Sequence, residues 1–303
     1  MFLWVGMIGY LFQPATSPDG GFPVEPVLFI DQFRAAEGIG FNGEGRLFIT
    51  AERAVWEAYP DGKARKLTDL DTNLGMGAIG ERDILVCDFG PTNVFRHGPN
   101  DDGVVWRVTP EGQKTKAALG IADPNAVVML PDRSYLVSDD GTDKIYRVDR
   151  AGKVQIWSQQ VEYPNGMALS PDNKTLYVAQ IFTELSPPNS PLDDRLWALP
   201  LDENFNPKGP ARVAARMGEG LDGLAMDVLG RVYVADNKGG KIWRYDPQTE
   251  KVILIAEGMP RVSSLAFGEG KFDHQSLYIA CTFNGGGRIW RVPVGVKGRK
   301  LYR

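Results

Sequence analysis

Cysteine and histidine are nearly absent from this 303-residue chain, which has two of each: Cys87, Cys281, His97 and His274. Two histidines cannot build a multi-histidine metal site. Two cysteines in apolar surroundings read as buried thiols, not as the framework of a disulfide scaffold. An excess of positive charge is also lacking. The 34 Lys and Arg stand against 38 Asp and Glu, a net charge of −4, which leaves no basic stripe for nucleic acid. No apolar run is long enough to span a bilayer. The most apolar stretch, Met1 to Phe12, is short and carries no Lys or Arg at its start, unlike a secretory leader. A truncated or atypical leader is the alternative reading of that stretch. The expectation is a cytoplasmic protein with neither a membrane nor a nucleic-acid partner; nothing in the pattern specifies an oligomeric state.

What the chain has in quantity is repetition. The segment Leu176-Tyr177-Val178-Ala179-Gln180 recurs as Leu47 to Ala51, Ile84 to Asp88, Tyr135 to Asp139, Val232 to Asp236 and Leu277 to Cys281, which makes six copies. Downstream of each copy an aliphatic residue precedes an aromatic one: Val55-Trp56, Val105-Trp106, Ile145-Tyr146, Leu196-Trp197, Ile242-Trp243 and Ile289-Trp290. Five of the seven tryptophans fall in this register. Turn sequences such as Pro60-Asp61-Gly62 and Pro110-Glu111-Gly112 follow, as tight hairpins require. Upstream of each copy lies an alternating strand with large apolar residues in one parity (Met167/Leu169, Leu224/Met226) and small ones in the other (Gly166/Ala168, Gly223/Ala225). Small residues suit strands that crowd toward one axis.

A fourth strand follows most copies, but the sixth copy runs out after Arg288-Ile289-Trp290-Arg291-Val292, while a surplus strand, Val27 to Asp31, precedes the first. The pattern predicts an all-β, six-bladed β-propeller closed by an N-terminal strand that completes the last blade. Residues 1–25 form an N-terminal extension in this reading and residues 26–303 a single propeller domain.

Each up-and-down blade begins at its innermost strand, so the residues heading those strands meet at one mouth of the central channel. They are Glu37, Leu74, Asn125, Asn165, Asp222 and Ser263. Polar side chains heading apolar strands are costly to bury unless they are paired or bind something. Each alone has a plain explanation as a turn residue; their convergence on one axis points to an oxygen-ligand metal site. Two carboxylates and two amides, without Cys or His, suit a hard cation, Ca²⁺ first, with Zn²⁺ or Mn²⁺ as other occupants. Two long loops, Phe89 to Gly103 and Ile181 to Asp194, belong on the same face and are expected to cover a pocket. Phe95, Phe182 and Leu185 would line it, with Arg261 from an inter-blade connection and His97 as further candidates for substrate contact.

At these residues the chain resembles the gluconolactonase, senescence marker protein and luciferin-regenerating enzyme family of calcium-dependent six-bladed propellers. The resemblance covers roughly Val27 to Val292. It is carried by Ala36-Glu37-Gly38, Pro124-Asn125, Tyr163-Pro164-Asn165-Gly166 and Leu221-Asp222-Gly223-Leu224-Ala225. It implies that Glu37, Asn125, Asn165 and Asp222 bind the metal, that Asp222 is general base or nucleophile, and that lactones or related esters are hydrolysed. The cation would polarise the carbonyl while Asp222 or a metal-bound water assists attack.

Where sugar-lactone members carry a substrate-binding Arg two residues before the second ligand, this chain has Asp123. With the apolar loop residues, that departure points to a less hydroxylated substrate. Two other readings stay open on the sequence: a phosphotriester hydrolase like the related diisopropylfluorophosphatase, and a non-catalytic calcium-stabilised propeller acting as a binding platform.

Overall fold

Each of the six sequence repeats folds into an antiparallel four-stranded sheet. The structure is a computed structural model, and it describes residues 21–92, 100–187, 189–282 and 286–303. The innermost strands are Ala36–Phe41, Met76–Ile79, Pro124–Met129, Pro164–Leu169, Leu221–Met226 and Val262–Phe267, heading blades 1 to 6 in that order. The second strands are Leu47–Ala51, Asp83–Asp88, Tyr135–Asp139, Thr175–Gln180, Val232–Asp236 and Ser276–Cys281, the six copies read from the sequence. Among the described residues there is no helix. Blade 6 takes its fourth strand from the N-terminal side: Val27–Ile30 pairs antiparallel with Ile289–Pro293, with Val27 opposite Arg291. This join, across more than two hundred positions of sequence, closes the ring.

The core is divided in the same way. Successive side chains of a strand point to opposite faces, so each second strand feeds two inter-blade spaces. Leu47 and Ile49 pack with Tyr278 and Ile289 of blade 6, whereas Phe48, between them, packs with Ile84 and Val86 of blade 2. The same alternation fills the remaining spaces, between blades 2 and 3, 3 and 4, 4 and 5, and 5 and 6. Six apolar clusters for six interfaces explain why no blade stands alone: each buries its two faces only against neighbours.

The tryptophan register also has a local cause. The indole N–H of the third strand donates to the residue that ends the second strand: Trp106 to Asp88 at 3.1 Å, Trp197 to Gln180 at 2.8 Å, Trp243 to Asp236 at 3.1 Å, and Trp56 to the Ala51 carbonyl at 2.9 Å. The acidic residues among these also collect backbone N–H groups from the connection entering their blade. Asp88 accepts from Asp71 and Thr72, and Asp236 from Glu219. In blades 2 and 5 one buried aspartate thus ties the aromatic wall to the segment that leads to the channel mouth.

Candidate metal centre and substrate face

Contacts around one mouth of the channel link the residues heading the innermost strands into a ring. A methyl group placed on Gly38 would lie 2.1 Å from the Leu74 carbonyl oxygen, one on Gly166 2.4 Å from that of Asp222, and one on Gly223 2.7 Å from that of Ser263. Gly75 N–H donates to the Asn125 carbonyl at 2.9 Å and the Ser263 hydroxyl to the Glu37 carbonyl at 2.9 Å. Glycine follows the axial residue in blades 1, 2, 4 and 5 because there is no room for a Cβ between adjacent backbones there. The register shifts at this point in five innermost strands, for example between Pro124 and Val127 and between Leu221 and Leu224. A bulge there leaves the axial residue out of the ladder and re-aims its side chain. Blade 2 differs: Leu74 lies ahead of the strand that begins at Met76 and is buried.

Glu37, Asn125, Asn165 and Asp222 are therefore brought together, and three of them are nearly inaccessible: Asn125 at 7%, Asn165 at 3% and Asp222 at 6% exposure. Ser263 is buried too, and its hydroxyl donates to main-chain carbonyls of Glu37 and Ala280. Asp123 is wholly buried, lying where a Cβ on Gly141 would come within 2.4 Å of its carboxylate. Arg261, at a positive φ of 56°, donates to Asn237 Oδ1 at 3.3 Å. Phe182 is half-buried, with its ring edge-on to Tyr163 at 6.2 Å and its backbone bridged to Leu192. Leu192 in turn would meet a Cβ on Gly220 at 3.1 Å, so the loop Ile181 to Asp194 reaches the connection that leads to Asp222. Leu185 is half-buried in the same loop. Phe95 and His97 lie outside the described residues.

Sequence reasoning missed a second tier. Asn125 Nδ2 donates to Asp140 Oδ2 at 2.9 Å, Asn237 Nδ2 donates to Asp222 Oδ2 at 3.1 Å, and the Glu37 carboxylate is hydrogen-bonded by the Thr282 side chain. Asp140, Asn237 and Thr282 share one register position, the residue after the second strand of a blade. The signal was available in the same repeat that revealed the blades, read one residue further.

The electrostatics of the mouth are one-sided. Among the described residues no Lys or Arg pairs with Glu37, Asp140 or Asp222. Burial pushes the Glu37 carboxyl up to about 7, against the Thr282 hydrogen bond that favours its charged form. Asp222 is raised well above the usual carboxylate range by burial, then by the charges of Glu37 and Asp140. Asp140 is raised likewise by burial, then by Asp123 and Asp139, and its Oδ1 is buried without a hydrogen-bond partner. Carboxylates that raise one another's pKa lack positive charge. Hard oxygen donors on four strands, with no soft ligand among them, suit a hard divalent cation. Glu37, Asn125, Asn165 and Asp222 are the residues that would hold it.

The arrangement has relatives. Residues 135–283 match the SMP-30/Gluconolactonase/LRE-like region, a span that contains Asn165, Asp222 and the three second-tier residues. A pentonolactonase of Haloferax volcanii is 26% identical over 204 residues, covering 60% of this chain and 64% of that protein. A gluconolactonase of Zymomonas mobilis is 30% identical over 152 residues, covering 46% of this chain and 38% of that protein. The chain thus spans less than two thirds of the length of either relative. The solved structure of a gluconolactonase from Xanthomonas campestris superposes with a TM-score of 0.69 at 20% identity, covering 88% of each chain, which establishes the shared fold. The resemblance read from the ring motifs and the match found over residues 135–283 name the same family.

Proposed function

We propose, from the premise that this propeller resembles the SMP-30/gluconolactonase/LRE-like family, that it is a metal-dependent hydrolase of lactones or related esters, with Ca²⁺ as the resident cation. The observation that carries the reading is the ring itself: Asn125, Asn165 and Asp222 buried, and Glu37 half-buried, around one channel mouth, with no Lys or Arg among the described residues paired to the carboxylates. A divalent cation at this ring would polarise the substrate carbonyl and stabilise the negative charge that grows on its oxygen during attack.

The remaining roles belong to the chain. Asp222 is the group positioned to take a proton from an attacking water or to attack directly. As base it would pass that proton to the ring oxygen as the acyl C–O bond breaks, leaving a hydroxy acid. Asn237 holds Asp222 Oδ2, so the other carboxylate oxygen is the one available for chemistry. The loop carrying Phe182 and Leu185 offers an apolar wall beside this mouth and favours a lactone with few hydroxyl groups.

The test is a panel of aliphatic γ- and δ-lactones, aldonolactones, aryl esters and a fluorophosphate, assayed with protein stripped by chelator and then reloaded with Ca²⁺. The expected outcome is lactone turnover that disappears on stripping and returns with Ca²⁺, with aliphatic lactones preferred over aldonolactones by kcat/KM. Turnover that survives exhaustive chelation removes the metal from the mechanism. A fluorophosphate preferred over every lactone transfers the reading to phosphotriester hydrolysis.

A further inference from the structure

The axial donors are held by side chains that do not themselves lie on the ring, and the chemistry of these holders is selective. A primary amide presents an oxygen on one side and an NH₂ on the other, and an axial Asn serves a cation only if its oxygen faces the channel. The Asn125 amide meets the Asp140 carboxyl, whose Oδ2 accepts from the NH₂ at 2.9 Å and leaves the Asn125 Oδ1 for the axis. Asn237 is fixed from three directions. Its Oδ1 accepts from Arg261 Nη1 at 3.3 Å, a partner that can only donate; its Nδ2 donates to Asp222 Oδ2 at 3.1 Å and to the Val262 carbonyl at 3.2 Å. Arg261 thereby dictates which end of Asn237 faces Asp222, although the guanidinium pairs with no ring residue. Thr282 holds Glu37 from the neighbouring blade.

We propose that Asp140, Asn237 and Thr282, the residues one position beyond the second strands of blades 3, 5 and 6, are positioning residues that set the orientation of the axial oxygens and so the cation affinity of the site, with Arg261 fixing Asn237. This inference rests on the metal-site reading above and adds to it a set of residues that touch neither cation nor substrate. It accounts for features that packing alone leaves without a reason: a buried aspartate hydrogen-bonded to an amide, and an arginine at a left-handed φ spent on an asparagine. Holders of this kind tune metal affinity by about 10- to 100-fold when removed.

The experiment is calorimetric titration of Ca²⁺ into the chelator-stripped full chain, with thermal melting of the stripped protein recorded in parallel. Asn237→Leu and Thr282→Val change no charge, so a loss of affinity in them reports orientation and not a missing anion. Asn237→Leu is expected to weaken Ca²⁺ about 10- to 100-fold, and Thr282→Val to weaken it in the same direction. At position 140 the order expected is Asp tightest, then Asp140→Asn, then Asp140→Leu, because asparagine can still accept from Asn125 but is free to flip. A purely structural role would lower the melting temperatures without producing that order. If Asn237→Leu does not fold, Thr282→Val and the Asp140 pair carry the test. Wild-type protein that binds Ca²⁺ while all variants match it within about twofold overturns the positioning role alone. Wild-type protein that binds no Ca²⁺ overturns this inference and the metal-site reading together.

Discussion

The two ends of the central channel are built from the same six strands and treat charge in opposite ways. At the end where the strands begin, the carboxyls of Glu37, Asp140 and Asp222 lie close enough to raise one another, and among the described residues no arginine or lysine is paired to them. At the end where they finish, Phe41, Met129, Met226 and Phe267 line a cavity of about 150 Å³ that the segment through Arg299, Leu301 and Tyr302 borders. That segment supplies its own cations. Arg299 donates to Asn173 Oδ1 at 3.0 Å, Tyr302 accepts from the Asn173 amide at 2.9 Å, and Arg303 pairs with Glu269 while donating to the Gly43 carbonyl at 3.0 Å. A carboxylate near the channel is thus met by arginine at the closing end and, among the described residues, only by neutral hydrogen-bond partners where a cation would fit. Clustered carboxyls with no positive charge beside them are costly to bury, so on the proposed metal-site reading the contrast separates the working end from the sealed one.

The largest effect that would sharpen the contrast is at Asp222. Asp222→Asn keeps the volume and one acceptor oxygen but removes the charge. Turnover is expected to fall by about 10³-fold or more, with the melting temperature of the stripped protein unchanged or raised because like charges are relieved. Steady-state kinetics beside a thermal melt measure both; full lactone turnover in this variant would falsify the role given to Asp222. Next in size is Gly166→Ala. Its Cβ would fall 2.4 Å from the Asp222 carbonyl oxygen and 2.7 Å from Gly223 Cα, both backbone, so the wall of the mouth must move. A loss of roughly 1–3 kcal/mol in urea unfolding is expected, together with weaker Ca²⁺ binding. Unchanged stability would mean that blades 4 and 5 are not in the close contact described.

How much of this was legible in the sequence follows from what repeats. The six copies around Leu176 to Gln180 and the small residues at Gly38, Gly166 and Gly223 gave the blades, the closing strand and the crowding at the mouth, because each is imposed on every blade by the same geometry. The axial residues could be located for the same reason. The second tier escaped notice because the residues at its register position differ in type: Glu52, Phe89, Asp140, Ile181, Asn237 and Thr282 occupy equivalent positions, and Asp140, Asn237 and Thr282 are the ones seen to hydrogen-bond an axial side chain. The far end was invisible for the opposite reason. The contacts of Arg299, Tyr302 and Arg303 belong to no repeat and join positions such as Asn173 and Tyr302 that are remote in sequence.

A third test uses pH. Glu37 ionises near 4.5 in an unfolded chain and at about 7 when folded, so between those values the folded state holds a proton that the unfolded state has released. Stability of the chelated protein is therefore expected to be greatest below about pH 4.5 on this account and to fall as pH rises toward 7. Ca²⁺ should offset the fall, because its binding displaces that proton, and proton release on titration should grow as pH drops from 7 toward 5. Urea unfolding at several pH values, with chelator and with Ca²⁺, measures this. Curves of equal slope in the two conditions would mean that the cation and the Glu37 proton do not compete.

The smallest effect belongs to the sealed end and is the control for the rest. Arg303 and Glu269 are both largely covered, with side-chain exposures of 16% and 27%, and burial raises the Glu269 carboxyl even with Arg303 beside it. Arg303→Met keeps the apolar stem, removes the cation and leaves Glu269 to protonate. A partly solvated, charge-assisted pair of this kind contributes about 1 kcal/mol, so the urea midpoint should drop slightly while Ca²⁺ affinity and kcat/KM stay at their wild-type values. The two ends would then be energetically independent, as sites well separated with no shared partner usually are. Arg303→Met with Ca²⁺ affinity reduced as much as in Asn237→Leu would mean instead that closure at the far end is transmitted along the inner strands to the ring, and the division between a sealed end and a working end would have to be abandoned.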